Sequence, residues 1–368
     1  MTGLFWFCLA SLVYAFFVYP LLVRPWPRRE PRAVPVVELP RVSVLLAVFN
    51  EERIIEAKIK NFLELSYPAE RRELLVVSDA SDDATDALAR GYAGAGVRLL
   101  RQEARGGKTR ALNRAASEAT GEILVFTDAN SMFRPDCLRA LVAPFADPGV
   151  GLVSGRSLYV DAAGRQTLGG AYRRYEEWIK DGESRLFSIV GADGAVYALR
   201  RELFTELRPE YINDLTHPIQ VVLRGLRAVS ASEAVVVEAG EDDAAEARRQ
   251  TRIMAQSWLV CLRHLGLLIR AGRIGFVWQL VSHKLLRWLT LPLLIGLGAA
   301  AIVRGGVLSW LIVAALAVLS GLAWRGAKGS QGLARVAWMF VVLHWAALAG
   351  LYRLGQGQTF VTWNPRQG

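Results

Sequence analysis

Apolar residues between positions 41 and 256 occur in short runs that alternate with amphipathic stretches. Four runs have the length and composition of buried strands: Val42–Val48, Leu74–Val77, Val97–Arg101 and Ile123–Thr127. The stretches between them repeat apolar residues at helical spacing and predict three helices: Arg53–Leu65, Thr85–Tyr92 and Thr109–Glu118. Strands that alternate with helices in this way predict a doubly wound α/β sheet.

A longer apolar run at the amino end predicts a membrane anchor over residues 1–24. Gly3–Val23 carries no charge and has about the 20 residues that cross a hydrocarbon core. Arg24 follows it directly, and further arginines stand at positions 28, 29 and 32. A cleavable signal peptide carries its positive charge before the apolar region. We therefore predict an uncleaved anchor whose arginine-rich end is cytoplasmic.

Three apolar stretches predict a C-terminal transmembrane region over residues 285–354, followed by a tail at 355–368: Leu285–Val303, Val307–Trp324 and Val336–Leu354. A buried helical bundle of a soluble protein is the alternative. Ser257–Ile269 places Arg263 and His264 inside an apolar helix, so we expect residues 257–273 to lie flat at the membrane interface. Four complete spans would put the tail opposite the globular part, although Arg353 and Arg366 favour the cytoplasmic side. A re-entrant or interfacial stretch would remove this conflict.

Composition and charge exclude two classes of protein. Of the 368 residues, 52% are hydrophobic and 21% are charged, which rules out a mainly disordered chain and a chain embedded wholly in the membrane. The net charge of +10 comes mostly from arginines that are dense beside apolar runs. This pattern fits anionic lipid and phosphate ligands better than nucleic acid. Three widely spaced cysteines support neither a disulfide framework nor a zinc site: Cys8, Cys137 and Cys261.

Polar side chains cluster where the predicted strands end. Glu51 follows the first strand, Asp79 follows the second, and Asp128 and Asn130 follow the fourth. Ligands of doubly wound sheets bind beyond the carboxyl ends of the strands, so these side chains are candidates for one site. The first strand ends in the sequence LLAVFNEE, which lacks the glycines of a dinucleotide-binding or P-loop motif. This argues against a dinucleotide-dependent oxidoreductase and a P-loop ATPase.

Two short segments carry groups that phosphate chemistry uses. Asp128 and Asn130 present two oxygen-bearing side chains on one loop, which suits Mg²⁺ or Mn²⁺ when substrate phosphates supply other ligands. A simple turn or helix cap is the alternative. Gly106 and Gly107 precede Lys108 after the third strand, which indicates contact with a diphosphate. A turn that starts a helix is the alternative there.

Six segments resemble the family 2 glycosyltransferases of the GT-A fold: VSVLLAVFNEE, LLVVSDASDDAT, GGKTRALNRA, GEILVFTDANSMFRPDCL, FSIVGADGAVYALRRELF and INDLTHPIQVVLRGLRAV. More narrowly, they are similar to membrane-bound synthases of the cellulose, hyaluronan and poly-N-acetylglucosamine type. The resemblance covers roughly Arg41 to Ser257. It implies an α/β GT-A domain with a Rossmann-like mixed sheet at residues 41–256. It also fits one N-terminal and about three C-terminal transmembrane helices.

The resemblance implies a nucleotide-sugar donor, with a UDP-sugar expected, and assigns donor-binding roles by position. Glu51 would lie near the nucleotide base and ribose, Asp79 would contact the base, and Lys108 would lie at the diphosphate. Asp128 would act at the ribose and at a Mg²⁺ or Mn²⁺ cofactor. Asn130 stands where the family's metal motif has its second aspartate, so it keeps an oxygen ligand but loses a charge.

On the acceptor side, the resemblance assigns the catalytic role to Asp214. An inverting transfer is a single displacement at the anomeric carbon, so one carboxylate must take the proton of the acceptor hydroxyl. Asn213 replaces the acidic residue that precedes this base in the family, and a helix N-cap is the alternative role for Asp214. Gly191 and Asp193 match the family's acceptor loop, for which a hairpin turn is the alternative.

The Gln-x-x-Arg-Trp motif of processive synthases is only partly present. Gln250 matches it and would contact the acceptor, whereas Ile253 and Met254 replace the Arg and Trp. This replacement argues against long-chain polymerisation. Arg249 and Arg252 lie three residues apart on one helix face and would clamp the donor diphosphate. Pairing with the acidic residues of positions 241–246 is the alternative.

The sequence therefore predicts an inverting, metal-dependent glycosyltransferase with a membrane-proximal acceptor, which is a polysaccharide, a glycolipid or a polyisoprenyl phosphate. Its catalytic domain would lie on the cytoplasmic face of the inner or plasma membrane and serve cell-surface or exopolysaccharide synthesis. A membrane-tethered module that binds nucleotide sugars with little or no turnover is the alternative, because Asn130 and Asn213 each remove a charge. No nucleic-acid partner is expected.

Overall fold

The structure, a computed structural model, describes residues 1–26, 38–160, 170–239 and 243–362. These residues form eight strands: β1 (Val42–Val48), β2 (Arg72–Ser78), β3 (Val97–Arg101), β4 (Ile123–Thr127), β5 (Met132–Phe133), β6 (Val150–Val160), β7 (Val196–Arg200) and β8 (Arg227–Ala239). They pair in the order β3-β2-β1-β4-β7-β6-β8-β5. The first four strands are parallel, whereas β7 runs antiparallel to both β4 and β6. The sheet is therefore mixed, and only its first half follows the doubly wound pattern.

The central strands of the first half of the sheet, β1 and β4, are apolar on both faces. Every residue of β1 and β4 is buried, as expected for parallel strands that are covered on both sides. The observed bounds of β1, β3 and β4 equal the predicted ones. β2 extends the predicted Leu74–Val77 by three polar residues, which the apolar run could not include: Arg72, Glu73 and Ser78.

The described residues also form these helices: α1 (Thr2–Val23), α2 (Ile55–Leu63), α3 (Thr85–Arg90), α4 (Lys108–Glu118), α5 (Cys137–Val142), α6 (Gly170–Leu186), α7 (Asn213–Leu223), α8 (Asp243–Arg270), α9 (Ile274–Trp288), α10 (Thr290–Arg304), α11 (Val307–Ala327) and α12 (Leu333–Gly355). α4 begins directly after Gly107, whose φ of 89° is a conformation that glycine adopts without strain. Lys108 is therefore the first residue of that helix.

Three of these helices, α1, α11 and α12, are long and apolar enough to cross a membrane. The pair α9 and α10 would make a fourth span, but its axis bends by 62° near Leu289. The predicted stretch Leu285–Val303 is therefore corrected, because it begins inside α9 and bends into α10. The arginines at positions 28, 29 and 32 and at position 366 lie outside the described residues.

Ser257–Ile269 is the carboxyl-terminal half of α8 and not a separate helix. α8 is continuous over 28 residues, so the predicted boundary between residues 256 and 257 falls inside it. Leu262 and Ile269 are exposed on this half, whereas Arg263 donates a hydrogen bond to Glu210 at 3.0 Å. One side of the helix is therefore tied to the sheet domain, and an apolar side faces outward.

α12 packs closely along α8. Trp258 Nε1 donates to the carbonyl oxygen of Ala347 at 3.0 Å. A Cβ atom on Gly350 would stand only 2.7 Å from the backbone nitrogen of Ala255. Small residues on α12 thus let the two helix backbones approach each other.

The segment after α12 returns to the sheet domain. The carbonyl oxygen of Phe360 accepts a hydrogen bond from Gln256 Nε2 at 2.9 Å. The next residue, Val361, lies so close to Gly107 that a Cβ atom there would overlap its carbonyl oxygen. The last described residues of the chain therefore lie against the loop that carries Lys108.

Candidate active site

The loops after β1 and β2 are locked together at the carboxyl edge of the sheet. Asn50 and Ala80 have positive φ angles of 52° and 61°, which non-glycine residues rarely adopt and which cluster at functional sites. The Asn50 amide donates to Ser81 Oγ at 3.1 Å. The Glu51 amide donates to Thr85 Oγ1 at 2.8 Å. This contact fixes the backbone of Glu51 at the rim, while its predicted contact with the donor stays a prediction.

Asp79, just after β2, is fully buried and holds the glycine loop. Its carboxylate accepts hydrogen bonds from the amides of Gly106 at 2.6 Å and Gly107 at 3.0 Å, and from Gln102 Nε2 at 2.8 Å. These three bonds give Asp79 a positioning role for the start of α4. Its predicted contact with the nucleotide base stays a prediction.

Lys108 and Asp128 meet at the mouth of the cleft. Lys108 Nζ forms an ion pair with Asp128 Oδ1, and the two side chains are 25% and 26% exposed. Thr109 Oγ1 donates to the carbonyl oxygen of Tyr211 at 2.9 Å, which fixes the start of α4 against the segment before α7. An accessible cation and carboxylate therefore lie side by side where the donor diphosphate is predicted.

Asp214 lies in the first turn of α7. Ile212 occupies the N-cap position of this helix. Asp214 is therefore not the N-cap residue, which was the alternative role considered for it. Burial raises the pKa of Asp214 above its ordinary value, against the positive charge of Lys108, which lowers it. A carboxylate with a raised pKa is a better proton acceptor in its ionised form, which suits a general base.

A hydrogen-bonded chain fixes the residues beside Asp214. Asn213 Nδ2 donates to the Tyr197 hydroxyl at 2.6 Å, and that hydroxyl bonds His217 Nδ1 at 2.9 Å. Burial lowers the pKa of His217 to about 3, so its ring is neutral. The Tyr197 ring stacks on Phe126 of β4 at a centroid distance of 4.6 Å. Asn213 thus links the start of α7 to the strand that leads to Asp128.

Asp193 anchors the loop that approaches Asp214. Its carboxylate accepts hydrogen bonds from the amide and the hydroxyl of Ser157, both at 2.9 Å. A Cβ atom on Gly194 would stand 2.7 Å from Asp214 Oδ2, so the loop touches the carboxylate only because glycine is there. The bonds of Asp193 are those of a structural turn, and the acceptor contacts predicted for Asp193 and Gly191 stay predictions.

α8 brings Arg252 to the same cleft. Burial and, to a smaller extent, the positive charge of Arg249 lower the pKa of Arg252 to about 10, while the negative charges of Asp128 and Asp214 oppose this shift. Arg252 therefore lies within electrostatic range of both carboxylates. Arg249 and Gln250 are half-buried nearby on α8, and their predicted roles stay predictions. The side chains of positions 241–246, which the alternative pairing needs, lie outside the described residues.

Lys58 of α2 supports the loop that carries Asp128, and the sequence pattern did not single it out. Its side chain is fully buried, and Nζ donates to Thr127 Oγ1 at 3.0 Å and to the carbonyl oxygen of Ser131. These two bonds hold both ends of residues 128–130. The available signal was a lysine within the buried stripe of an amphipathic helix, next to Ile59.

Asp128 and Asn130 fit a divalent cation that takes most of its ligands from the donor. In the part of the chain that the structure describes, no group of three His, Cys, Asp or Glu side chains could hold a metal ion. One carboxylate and one amide oxygen on the same loop are ligands that Mg²⁺ and Mn²⁺ accept, together with water and substrate phosphates. The chain alone would therefore bind the cation weakly.

Comparison with known proteins agrees with this architecture. Residues 43–208 match the family model for Glycosyl transferase family 2. The probable glycosyltransferase YdaM of Bacillus subtilis is 30% identical over 181 residues, which cover 46% of this chain and 43% of that protein. The beta-monoglucosyldiacylglycerol synthase of Synechocystis sp. is 33% identical over 131 residues, which cover 34% of this chain and 27% of that protein. The chain thus spans less than half the length of these curated relatives.

A solved structure is similar to almost the whole chain. It is the mannosyltransferase PcManGT of Pyrobaculum calidifontis, in complex with GDP-Man and Mn²⁺. The TM-score is 0.72 at 25% identity, and the match covers 96% of this chain and 99% of that chain. The fold is therefore that of a GT-A glycosyltransferase with its flanking helices.

Proposed function

We propose that this protein transfers a sugar, with inversion, from a nucleoside diphosphate sugar to an acceptor at the membrane surface. The observation that carries the proposal is the convergence of two basic and two acidic side chains on one cleft at the carboxyl edge of the sheet. They are Lys108 paired with Asp128, and Arg252 within range of both Asp128 and Asp214. Basic groups suit the leaving diphosphate, and a carboxylate with a raised pKa suits the acceptor.

The chemistry follows from these positions. Asp214 accepts the acceptor's proton as the acceptor oxygen forms its bond to the anomeric carbon. The bond from that carbon to the donor's β-phosphate oxygen breaks, and the nucleoside diphosphate leaves with the electron pair. Lys108 and Arg252 stabilise the charge that develops on the diphosphate. A cation held by Asp128 and Asn130 would supply further positive charge there.

Two features support an acceptor at the lipid surface. Apolar side chains are exposed on α8, which also carries Arg252, and helices of spanning length pack beside the domain. The contact of Val361 with Gly107 supports a C-terminal segment that lies on the same side of the membrane as the catalytic domain. The chain between them then makes an even number of complete crossings, so one of the three C-terminal apolar stretches does not cross. We propose that this shared side is the cytoplasm.

A screen of nucleoside diphosphate release identifies the nucleotide of the donor. The full chain, purified in detergent with Mn²⁺, is incubated with UDP-sugars and GDP-sugars in the absence of acceptor. The sequence leads us to expect UDP-sugars, whereas the similar solved structure binds GDP-Man. Slow release from one donor, abolished by EDTA, would support the proposal. Binding without release from any donor, with or without a lipid extract, would favour the silent binding module instead.

Replacing Gly194 with alanine tests the contact between its loop and the proposed base. The new methyl group would stand 2.7 Å from Asp214 Oδ2, so either the loop or the carboxylate must move. A displacement of this kind is expected to lower the transfer rate about 10- to 100-fold. Gly321→Ala on α11 is the matched control, because a Cβ atom there meets nothing within 4 Å. Equal activity of both variants would show that this contact is not needed.

Replacing Asn130 with aspartate tests the metal assignment. The change restores a second carboxylate beside Asp128, and added ligand charge raises the affinity for a divalent cation. The Mn²⁺ concentration for half-maximal nucleoside diphosphate release is expected to fall several-fold. A Mn²⁺ requirement unchanged by this substitution would count against Asn130 as a ligand.

A further inference from the structure

Two lysines meet beside Asp214, at the junction of the domain with the apolar helices. Lys180 lies on α6 between Glu176 and Glu183, which share its helix face. His283 of α9 bonds both of these carboxylates, at 3.1 and 2.7 Å. The next residue, Lys284, lies within electrostatic range of Lys180 and of the same two carboxylates. Helix α9 thus crosses α6 at the position of Lys180.

Lys284 also reaches the loop that approaches Asp214. Its Cε atom lies 3.8 Å from the place where a Cβ atom on Gly191 would stand. The next residue of that loop, Ala192, donates its amide hydrogen to the backbone oxygen of Asp214 at 2.8 Å. The positive charges of Lys284 and Lys180 both act on Asp214, and they lower its pKa against the effect of burial.

The neighbouring carboxylates are already committed to other partners. Glu183 accepts a hydrogen bond from the Tyr19 hydroxyl as well as from His283. Glu176 pairs with Arg287 at 2.6 Å as well as with His283. Among the residues that the structure describes, neither Lys180 nor Lys284 has a hydrogen-bond or ion-pair partner. Two half-buried like charges that lie together, neither of them in a direct ion pair among the described residues, form a site for an anion.

We propose that Lys180 and Lys284 bind the phosphate monoester of a lipid acceptor, and that this phosphate is the group that receives the sugar. The inference rests on the function proposed above. A phosphate held by both lysines would lie beside Asp214, where the reacting acceptor oxygen must be. The packing of Tyr19 of α1 against the same cluster places the site at the base of the membrane anchor, within reach of a lipid headgroup.

In this sugar transfer, the phosphate of the lipid acts as the nucleophile. A phosphate oxygen forms the bond to the anomeric carbon, while the bond from that carbon to the donor's β-phosphate oxygen breaks. The nucleoside diphosphate leaves with the electron pair, and a proton carried by the phosphate monoanion passes to Asp214. The products are a lipid phosphosugar and a nucleoside diphosphate.

The test compares acceptors that differ in the phosphate alone. The purified full chain is given its donor and one of four probes: a polyprenyl monophosphate, the corresponding polyprenol, phosphatidic acid or inorganic phosphate. Transfer to a lipid phosphate but not to the polyprenol supports the proposal, and the better of the two lipids identifies the lipid class. Equal transfer to the polyprenol, or transfer to inorganic phosphate as efficient as to either lipid, would overturn it.

Substitution of the lysines tests the site itself. Lys284→Gln and Lys180→Gln are each expected to raise the KM for the lipid phosphate about tenfold or more, because each removes a charged hydrogen bond. Lys284→Arg should restore most of the affinity, which a purely structural role of the amine would not predict. Lys60→Gln on the exposed face of α2 is the control. An unchanged acceptor KM in both glutamine variants would overturn the proposal. Absence of nucleoside diphosphate release from every donor, both with and without acceptor, would instead refute the proposed function.

Discussion

Asp214→Asn is expected to abolish sugar transfer, with a loss of about 100- to 10,000-fold in kcat. Asparagine has nearly the same shape but cannot accept the proton, and general bases contribute about this factor. The contacts around α7 that involve Asn213 and Tyr197 do not use the Asp214 carboxylate, so the variant should fold. Transfer measured by nucleoside diphosphate release at saturating donor and acceptor gives the result directly.

The pH dependence of the wild type adds a second readout for the same residue. Because burial raises the pKa of Asp214, the base becomes protonated at a higher pH than an ordinary aspartate. Activity should therefore be lost on acidification through an apparent pKa above the usual value of about 3.9. Asp136 is exposed and lies outside the cleft. The control variant Asp136→Asn should therefore keep the wild-type rate and the same loss of activity on acidification. An Asp214→Asn variant with substantial activity would remove Asp214 as the base.

Asp128→Ala is expected to lower donor turnover about 100-fold or more, with or without acceptor. The change removes the carboxylate proposed to hold the cation, and loss of one group that stabilises a developing anion costs about this much. Its ion pair with Lys108 is partly exposed, so unfolding should be easier by only about 0–1 kcal/mol. The measurements are nucleoside diphosphate release over a Mn²⁺ titration and a thermal melt.

The Mn²⁺ titration separates a metal role from a structural one. If Asp128 holds the cation, the Mn²⁺ requirement of any residual activity should rise sharply in Asp128→Ala. Asp136→Ala is the matched control and should titrate as the wild type does. Retained activity of Asp128→Ala at low Mn²⁺ would remove the metal assignment.

The central strands of the parallel half could be predicted from the sequence because burial on both faces makes them continuous apolar runs. Val42–Val48 and Ile123–Thr127 are observed with the predicted bounds. No such pattern predicts β6 and β8, which are long, partly exposed and interrupted by register shifts near Leu152 and Arg156. Their pairing depends on tertiary contacts that a single run of residues does not encode.

The positions of the candidate site residues could be predicted, but several of their contacts could not. Strand ends correctly place Asp79 and Asp128 at one edge of the sheet. The Asp79 carboxylate accepts hydrogen bonds from the amides of Gly106 and Gly107. These bonds depend on how the loop after β3 folds back, which the sequence does not show. The approach of Val361 to Gly107 joins residues more than 250 positions apart and left no local signal in the sequence.

The most direct test of the proposed cleft is a structure of the full chain with Mn²⁺ and the donor that the screen identifies, or its nucleoside diphosphate. The diphosphate is expected beside Lys108 and Arg252, with the cation on Asp128 and the sugar directed at Asp214. A nucleotide bound elsewhere, for example in the cavity lined by Glu38, Arg139 and Arg200, would contradict the assignment of this edge of the sheet as the active site.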